Sequence, residues 1–348
     1  MKILNLQESI KININQIDFT LQKEMEAVNE IYPVKISEYY AKLASKNKAV
    51  FLQAFPSNEE LCSNDFSEID PLSEIKHEII PGLVHKYSNK AIILTTNKCF
   101  MNCRHCTRKR IMHSKHQSQE PNFKLIFDYI KKHQELNDIL LTGGDVLTLP
   151  DETILYLISE LSKIKHINTI RIGTRAPVTF PERINYKLFK SISKYKNVWL
   201  NTQFNHPCEV TKESISACNI IQSCGIPICN QTVILKGVND KYKILRDLCL
   251  KLVHNRIMPY YLYQCDNVIG VSHFAVSPQF GAEVIKRMRT ELPGMAIPRY
   301  IIDAQNDGGK IIAEYSNVID FQNNKAELID CTGRHCVLFY GINSPKND

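Results

Sequence analysis

Ala91-Ile-Ile-Leu-Thr-Thr-Asn-Lys-Cys99-Phe-Met-Asn-Cys103-Arg-His-Cys106 is the stretch whose reading decides the fold. A short apolar run, Ala91 to Leu94, opens into a loop with cysteines spaced C-x3-C-x2-C. Three thiolates can hold three irons of a cubane [4Fe–4S] cluster and leave the fourth iron for an outside molecule. Such clusters ordinarily take four cysteines, so a compact set of three points to a reactive site and not an electron wire. Twelve cysteines in 348 residues would give this pattern by chance on the order of 0.01 times per chain. A buried or zinc-binding trio is the alternative reading.

Around this stretch, short apolar or β-branched runs recur: Ala91–Thr96, Asp138–Thr142, Thr169–Gly173, Val198–Phe204, Ile226–Leu235, Met258–Gln264 and Arg299–Asp303. Segments with helical periodicity separate them: Phe123–Leu136, Thr153–Ile164, Tyr186–Tyr195, Lys212–Ser223, Tyr242–His254 and Gly281–Leu292. Within Thr153–Ile164, the residues Ile154, Leu157, Ile158 and Leu161 fall at i, i+3, i+4 and i+7, giving one apolar face. Strand–helix alternation predicts right-handed crossovers and a parallel sheet. Six or seven units in roughly 220 residues predict an α/β fold, a partial TIM-like barrel with active groups at the C-terminal strand ends. Residues 1–80 read as an N-terminal extension, helical in parts such as Ser37–Lys46. Residues 81–310 read as the barrel, and 311–348 as a C-terminal extension.

Hydrophobic residues at 44% and charged residues at 23% fit a soluble globular protein. Met1-Lys2-Ile3-Leu4-Asn5-Leu6-Gln7-Glu8 lacks the apolar core of a signal peptide, and no apolar run approaches membrane-spanning length. Many cysteines without such a signal predict the reducing cytoplasm. The net charge of +7 is mild. Thr107-Arg108-Lys109-Arg110 is the densest basic cluster. Without interleaved aromatics it is a weak nucleic-acid signal, and a neighbouring anionic cluster, carboxylate or phosphate explains it equally well.

Further groups fall at the same strand ends. Thr142-Gly143-Gly144-Asp145 follows the second strand, where two glycines either admit a ligand to the backbone or make a tight turn. Asn205-His206 follows the fourth strand. Gln231 lies in the fifth, Asp266 follows the sixth, and Asp303 ends the seventh. Gly308-Gly309-Lys310 comes next. Its lysine reads as a phosphate grip, a Schiff-base nucleophile or a solvated loop residue.

These motifs together resemble the radical S-adenosylmethionine (SAM) superfamily, and within it the lysine 2,3-aminomutase family. The resemblance rests on Cys99-x3-Cys103-x2-Cys106 with Arg104-His105-Cys106-Thr107-Arg108, on Leu140–Asp145 and on Arg171-Ile172-Gly173-Thr174-Arg175. It continues through Asn205-His206-Pro207, Asn230-Gln231, Gly237-Val238-Asn239-Asp240, Pro259–Asp266, His273-Phe274, and Asp303 with Gly308-Gly309-Lys310. It implies a radical SAM barrel with a [4Fe–4S] cluster on the three cysteines, whose open iron chelates SAM. By the same resemblance Gly143, Gly144 and Asp145 line the SAM amino group, and Gln231 faces its sugar side. Lys310 matches the lysine that holds pyridoxal 5′-phosphate (PLP), with Lys86, Tyr87 and Lys90 as the PLP-binding segment. Arg108 matches the receptor of the substrate carboxylate, and Asp266 and Asp303 match the receptors of an ε-ammonium.

The reaction so implied is isomerisation of L-lysine to β-lysine by 2,3-migration of the amino group. A radical derived from SAM removes a hydrogen from Cβ, and PLP carries the migrating nitrogen. A flavodoxin- or ferredoxin-type electron donor is implied, and a homo-oligomer is compatible. Arginine or ornithine would also suit two aspartates, whereas glutamate would not. The short C-terminal region is similar to the branch that supplies β-lysine for elongation factor P. Tyr260–Asp266 and Asp303–Lys310 are closer to the free-lysine enzymes.

Four departures from the family pattern stand out. Lys86 and Lys90 replace arginines, giving up the bidentate fork for phosphate. Lys241 replaces a cysteine of the clostridial zinc site, so that site is expected to be absent. Gln203 stands where a histidine is expected, and Ile311-Ile312 replaces Thr-Pro. Cys331 and Cys336, like His113 and His116, read as ordinary residues and not as metal ligands.

Overall fold

The computed structural model describes residues 2–13, 17–62, 64–113, 119–305, 307–314, 318–322, 325–329 and 335–339. Two short strands, β1 (Ile3–Leu4) and β2 (Ile36–Ser37), pair antiparallel near the N-terminus. The main sheet runs β3 (Glu78–Ile80), β4 (Leu83–Tyr87), β5 (Lys90–Thr96), β6 (Asp138–Gly143), β7 (Thr169–Gly173), β8 (Val198–Thr202), β9 (Ile228–Val233), β10 (Met258–Tyr263), β11 (Arg299–Ala304) and β12 (Gly309–Ile312), each strand beside the next. Strands β5 to β11 are parallel. The flanking pairs β3–β4, β4–β5 and β11–β12 are antiparallel. A parallel sheet wrapped by crossover helices and left open at its edge pair is a partial (β/α) barrel.

The seven parallel strands are those predicted, with ends trimmed: the fourth stops at Thr202 and the fifth spans Ile228–Val233. Each crossover carries one of the predicted helices: Phe123–Lys132, Asp151–Ser162, Tyr186–Ile192, Lys212–Ser223, Tyr242–His254 and Pro278–Glu291. Caps set their starts. Ser277 accepts from Gln279 N and Pro278 takes the first turn, which moves the last helix three residues ahead of the Gly281 read from periodicity. Ile154, Leu157, Ile158 and Leu161 are fully buried, as their spacing requires. They join Ile139, Leu141, Ile170 and Ile172, which point outward from the sheet into one core.

Period-two alternation turns the other residues of each strand toward the inside of the curve. Asp138, Leu140 and Thr142 on β6, Arg171 and Gly173 on β7, and Tyr261 and Tyr263 on β10 therefore face one cavity. The N-terminal extension is helical over Leu6–Ile12, Phe19–Ile31, Glu38–Ala44 and Lys48–Leu52. At the other end β13 (Val318–Gln322), β14 (Lys325–Ile329) and β15 (His335–Phe339) form an antiparallel sheet. Cys331 and His116 lie outside the described residues. Among the described residues no helix is long and apolar enough to cross a membrane.

Candidate active site

A cavity of about 380 Å³ fills the inside of the sheet, large enough for small-molecule ligands. Every residue to which the family resemblance gives a cluster, cofactor or substrate role lines it, whereas Asn205 and His206 do not. Cys99, Cys103 and Cys106 line it with Gly143, Gly144 and Asp145, and Cys99 senses the charges of the other two cysteines and of Asp145. Lys86, Tyr87, Lys90, Asp303 and Lys310 also line it, as do Asp266, Arg108 and Gln231.

The glycine pair is explained by backbone packing. A Cβ on Gly143 would meet Thr96 O at 2.3 Å, and one on Gly144 would meet Lys98 O at the same distance. Gly144 N donates to Thr96 O at 2.6 Å and Asp145 N to Lys98 O at 2.7 Å. The turn is thus clamped against the start of the cysteine loop, and Gly143 adopts φ +130° to do it. Asp145 ties the same turn to the next one: its carboxylate accepts from Thr174 Oγ1 at 2.7 Å, Arg175 N at 2.9 Å and Leu147 N at 3.0 Å. Burial nevertheless holds its carboxyl above the usual value.

A four-residue loop explains the distance from Asp303 to Lys310. The two residues are direct cross-strand partners in the β11–β12 hairpin. Lys310 Nζ donates to Asp303 Oδ2 at 2.5 Å, and its backbone N–H donates to Tyr87 OH at 3.2 Å. Gly309 takes φ +71°, and a Cβ there would press on the Tyr87 ring at 3.2 Å. Asp266 is half-buried. That burial, reinforced by the charge of Asp303, raises its carboxyl to about 6. Burial lowers Lys90, and the nearby charges of Arg171 and Lys310 lower it further. Lys90, Arg171 and Lys310 are thus close enough to sense one another's charge.

The basic run after the cysteines is turned inward, onto carboxylates of the N-terminal extension. Arg108 donates from Nε and Nη2 to Glu74 at 2.7–3.0 Å, and Arg110 Nη2 donates to the same carboxylate at 2.9 Å. Burial alone would raise Glu74; the two guanidinium groups outweigh it and bring the carboxyl down to about 2. Lys109 and Arg104 are both paired with Glu60. No periodicity in the sequence pointed to Glu60 or Glu74, because their partners are more than 30 residues away.

His105 is another residue the sequence reading left without a role. Val233 N donates to Asn205 Oδ1 at 3.0 Å, which orients that amide. Asn205 Nδ2 and Gln203 Nε2 each lie 3.2 Å from His105 Nε2. Both neighbours are donors, so Nε2 accepts and Nδ1 carries the proton. Burial keeps the ring neutral.

The family model of the radical SAM superfamily matches residues 93–248. Over 316 residues the chain is 41% identical to the L-lysine 2,3-aminomutase of Methanococcus maripaludis, covering 89% of this chain and 73% of that protein. It is 39% identical over 302 residues to the Clostridium subterminale L-lysine 2,3-aminomutase, covering 86% and 73%. The chain belongs to the lysine 2,3-aminomutase family of radical SAM enzymes. It is an isomerase of that family. The glutamate 2,3-aminomutase of Clostridioides difficile is also similar, at 36% identity over 305 residues, covering 85% and 72%. Membership of the lysine 2,3-aminomutase family therefore leaves the substrate to be argued from the cavity.

Radical SAM membership implies SAM and a [4Fe–4S] cluster, and the residues present fit both. Burial lifts the Cys106 thiol to about 11 and Cys99 well above its usual value, and neighbouring cysteines add to both. Thiols raised in this way become stable thiolates only beside strong positive charge. Among the described residues no group of three or more His, Cys, Asp or Glu converges on a single ion. A cubane distributes its thiolates over separate irons and needs no such convergence. Next to the cysteines, His105 Nδ1, Asn201 Nδ2 and Thr202 Oγ1 are buried polar atoms without partners in the cavity wall. Their presence suits a polar ligand such as SAM.

Proposed function

We propose that the chain converts L-lysine to β-lysine by moving the 2-amino group to C3, with PLP as a third cofactor. The pairing of Lys310 with Asp303, beside half-buried Asp266, carries this reading. Asp303 already holds one ε-ammonium, that of Lys310, which is the group a lysine substrate presents. The γ-carboxylate of glutamate would be repelled by the same two aspartates.

Lys310 would hold PLP covalently, and Lys90 and Lys86, with Arg171 behind them, would face its phosphate. Tyr87 packs on Gly309 and fixes the lysine's backbone. Arg108 would take the substrate carboxylate. Glu74 uses only Nε and one side of Nη2, which leaves both N–H groups of Nη1 and one of Nη2. When bound, the cluster and SAM supply a carbon radical that takes a hydrogen, and PLP supplies the π-system that lets nitrogen migrate. The protein's part is to bind both ends of the amino acid and shield the middle with Ile92, Leu140 and Val233, away from water and stray hydrogen donors.

Anaerobic incubation with lysine, arginine, ornithine and glutamate, with mass-spectrometric detection of β-isomers, tests the substrate. Lysine is expected to be isomerised and glutamate to be left unchanged. Arginine turnover without lysine turnover would replace this assignment.

Asp266 also gives a pH signature. Its carboxyl titrates near 6, and only the ionised form attracts the substrate cation. The KM for lysine is therefore expected to rise about tenfold per pH unit below 6 and to be flat above it. Asp266→Asn should raise KM at neutral pH and erase that acidic limb. A limb that persists in the variant would remove Asp266 from the substrate site.

A further inference from the structure

Arg175 follows β7, and its guanidinium is buried. Nε donates to Gln203 O at 3.0 Å. Nη2 donates to Glu209 Oε1 at 2.7 Å and to Gln53 Oε1 at 2.6 Å. Nη1 points elsewhere, to Cys103 Sγ at 3.0 Å. The anchors are themselves held: Glu209 Oε2 accepts from Asn205 N at 2.6 Å and His206 N at 2.9 Å, and Tyr40 OH donates to Glu209 Oε1 at 2.5 Å. The guanidinium is thereby fixed from three directions, with one nitrogen directed at the sulfur of a cluster cysteine.

We propose that Arg175 is a positioning residue that sets the reduction potential of the cluster. Adding one electron to the cluster makes its sulfurs more negative. A hydrogen bond to a ligand sulfur and an adjacent positive charge stabilise that reduced form and raise the potential. Glu209 offsets the charge at longer range but leaves the Nη1–H to sulfur bond in place. Rigid anchoring matters here, because a mobile cation would reorient with each redox state and stabilise neither selectively. The network also makes Gln53 and Tyr40, from the N-terminal extension, part of the cluster's surroundings. This proposal requires only that Cys103 ligates the cluster; it is independent of PLP and of the amino-acid substrate.

The test is an EPR-monitored redox titration of the full chain with its cluster reconstituted anaerobically, without PLP or amino acid and with dithionite as reductant. Arg175→Lys keeps a positive charge for Glu209, but one ammonium cannot span Glu209 and Cys103 Sγ together. The double variant Arg175→Met with Glu209→Gln removes the charge pair without stranding a buried carboxylate. Both are expected to bind wild-type iron and sulfide. At a fixed potential each should show about a tenfold lower ratio of reduced to oxidised cluster, equivalent to about 59 mV for a one-electron couple. An unchanged midpoint in iron-replete protein overturns the proposal. So does failure of both variants to load iron, which would make Arg175 a support of the cysteine loop only.

Discussion

Lys310→Ala is expected to abolish retention of PLP and to lower turnover on the order of 10³-fold or more, while iron and sulfide content stay at wild-type values. The argument starts from the hairpin. Asp303 and Lys310 face each other across β11 and β12, so the lysine leaves a rigid strand and not a free loop. Its Nζ reaches both Asp303 and the Tyr263 ring, at 4.7 Å from the ring centroid. Among the described residues no other lysine in the cavity has this position: Lys86 donates to Leu72 O at 3.0 Å, and Lys90 lies over the Tyr87 ring. Neither could take over the covalent bond. Lys310→Arg separates charge from chemistry, since it can still meet Asp303 but cannot form a carbon–nitrogen double bond with an aldehyde. It should lose the absorbance of protein-linked pyridoxal as completely as the alanine variant. If wild type shows no such absorbance after incubation with PLP, or if Lys310→Ala retains it, the PLP reading fails. The cluster reading would be unaffected in either case.

The barrel was legible because its signal is local. Each parallel strand carries alternating residues, and each crossover helix carries one apolar stripe, so short windows of sequence suffice. The candidate site was legible through motif spacing and family resemblance, and the cavity brings together the residues assigned cluster, cofactor or substrate roles. The reason for some spacings was less visible. Gly143 and Gly144 read equally as a ligand cradle or a turn. They are required by contact with Thr96 O and Lys98 O, atoms that no pattern in the glycine segment announces. Arg171 and Arg175 stood inside a quoted motif without roles, since a guanidinium's function depends on what it meets across the fold. For the same reason the sequence offered an anionic cluster, a carboxylate or a phosphate as the counter-charge of Arg108-Lys109-Arg110, and could not say which carboxylates. Its counter-charges, Asp70, Glu74 and Glu60, lie in the N-terminal extension, which shows no regular period.

Glu60→Ala is expected to cost about 3–5 kcal/mol of stability, because it strands two buried cations, and to prevent stable loading of the cluster. Glu60, Arg104 and Lys109 have side chains 0%, 0% and 1% exposed. Glu60 Oε1 accepts from Ser57 N at 3.0 Å and Arg104 Nε at 2.9 Å; Oε2 accepts from Lys109 Nζ at 2.6 Å. Arg104 lies between Cys103 and Cys106, the residues that would hold the cluster, and Lys109 Nζ also donates to Arg104 O at 2.8 Å. The carboxylate is therefore the fastener between the N-terminal extension and the cysteine loop. A loss of that size is a large share of the about 5–15 kcal/mol that holds a typical domain folded. Glu60→Gln keeps the shape and part of the hydrogen bonding, so its loss should be smaller and its iron content intermediate. The pH dependence has a definite sign. Burial would raise the Glu60 carboxyl, but Arg104 and Lys109 overcome it and hold it below its ordinary value. Glu74 is held down to about 2 from an ordinary 4.5. Carboxyls lowered on folding stabilise the native chain fully above their unfolded values. That stability should drain away as the pH falls from about 4.5 toward 2, and Glu60→Gln should remove part of the slope. Anaerobic denaturant titrations across this range measure both quantities. A Glu60→Ala protein with a wild-type midpoint and full iron would show that the extension does not fasten the cluster loop.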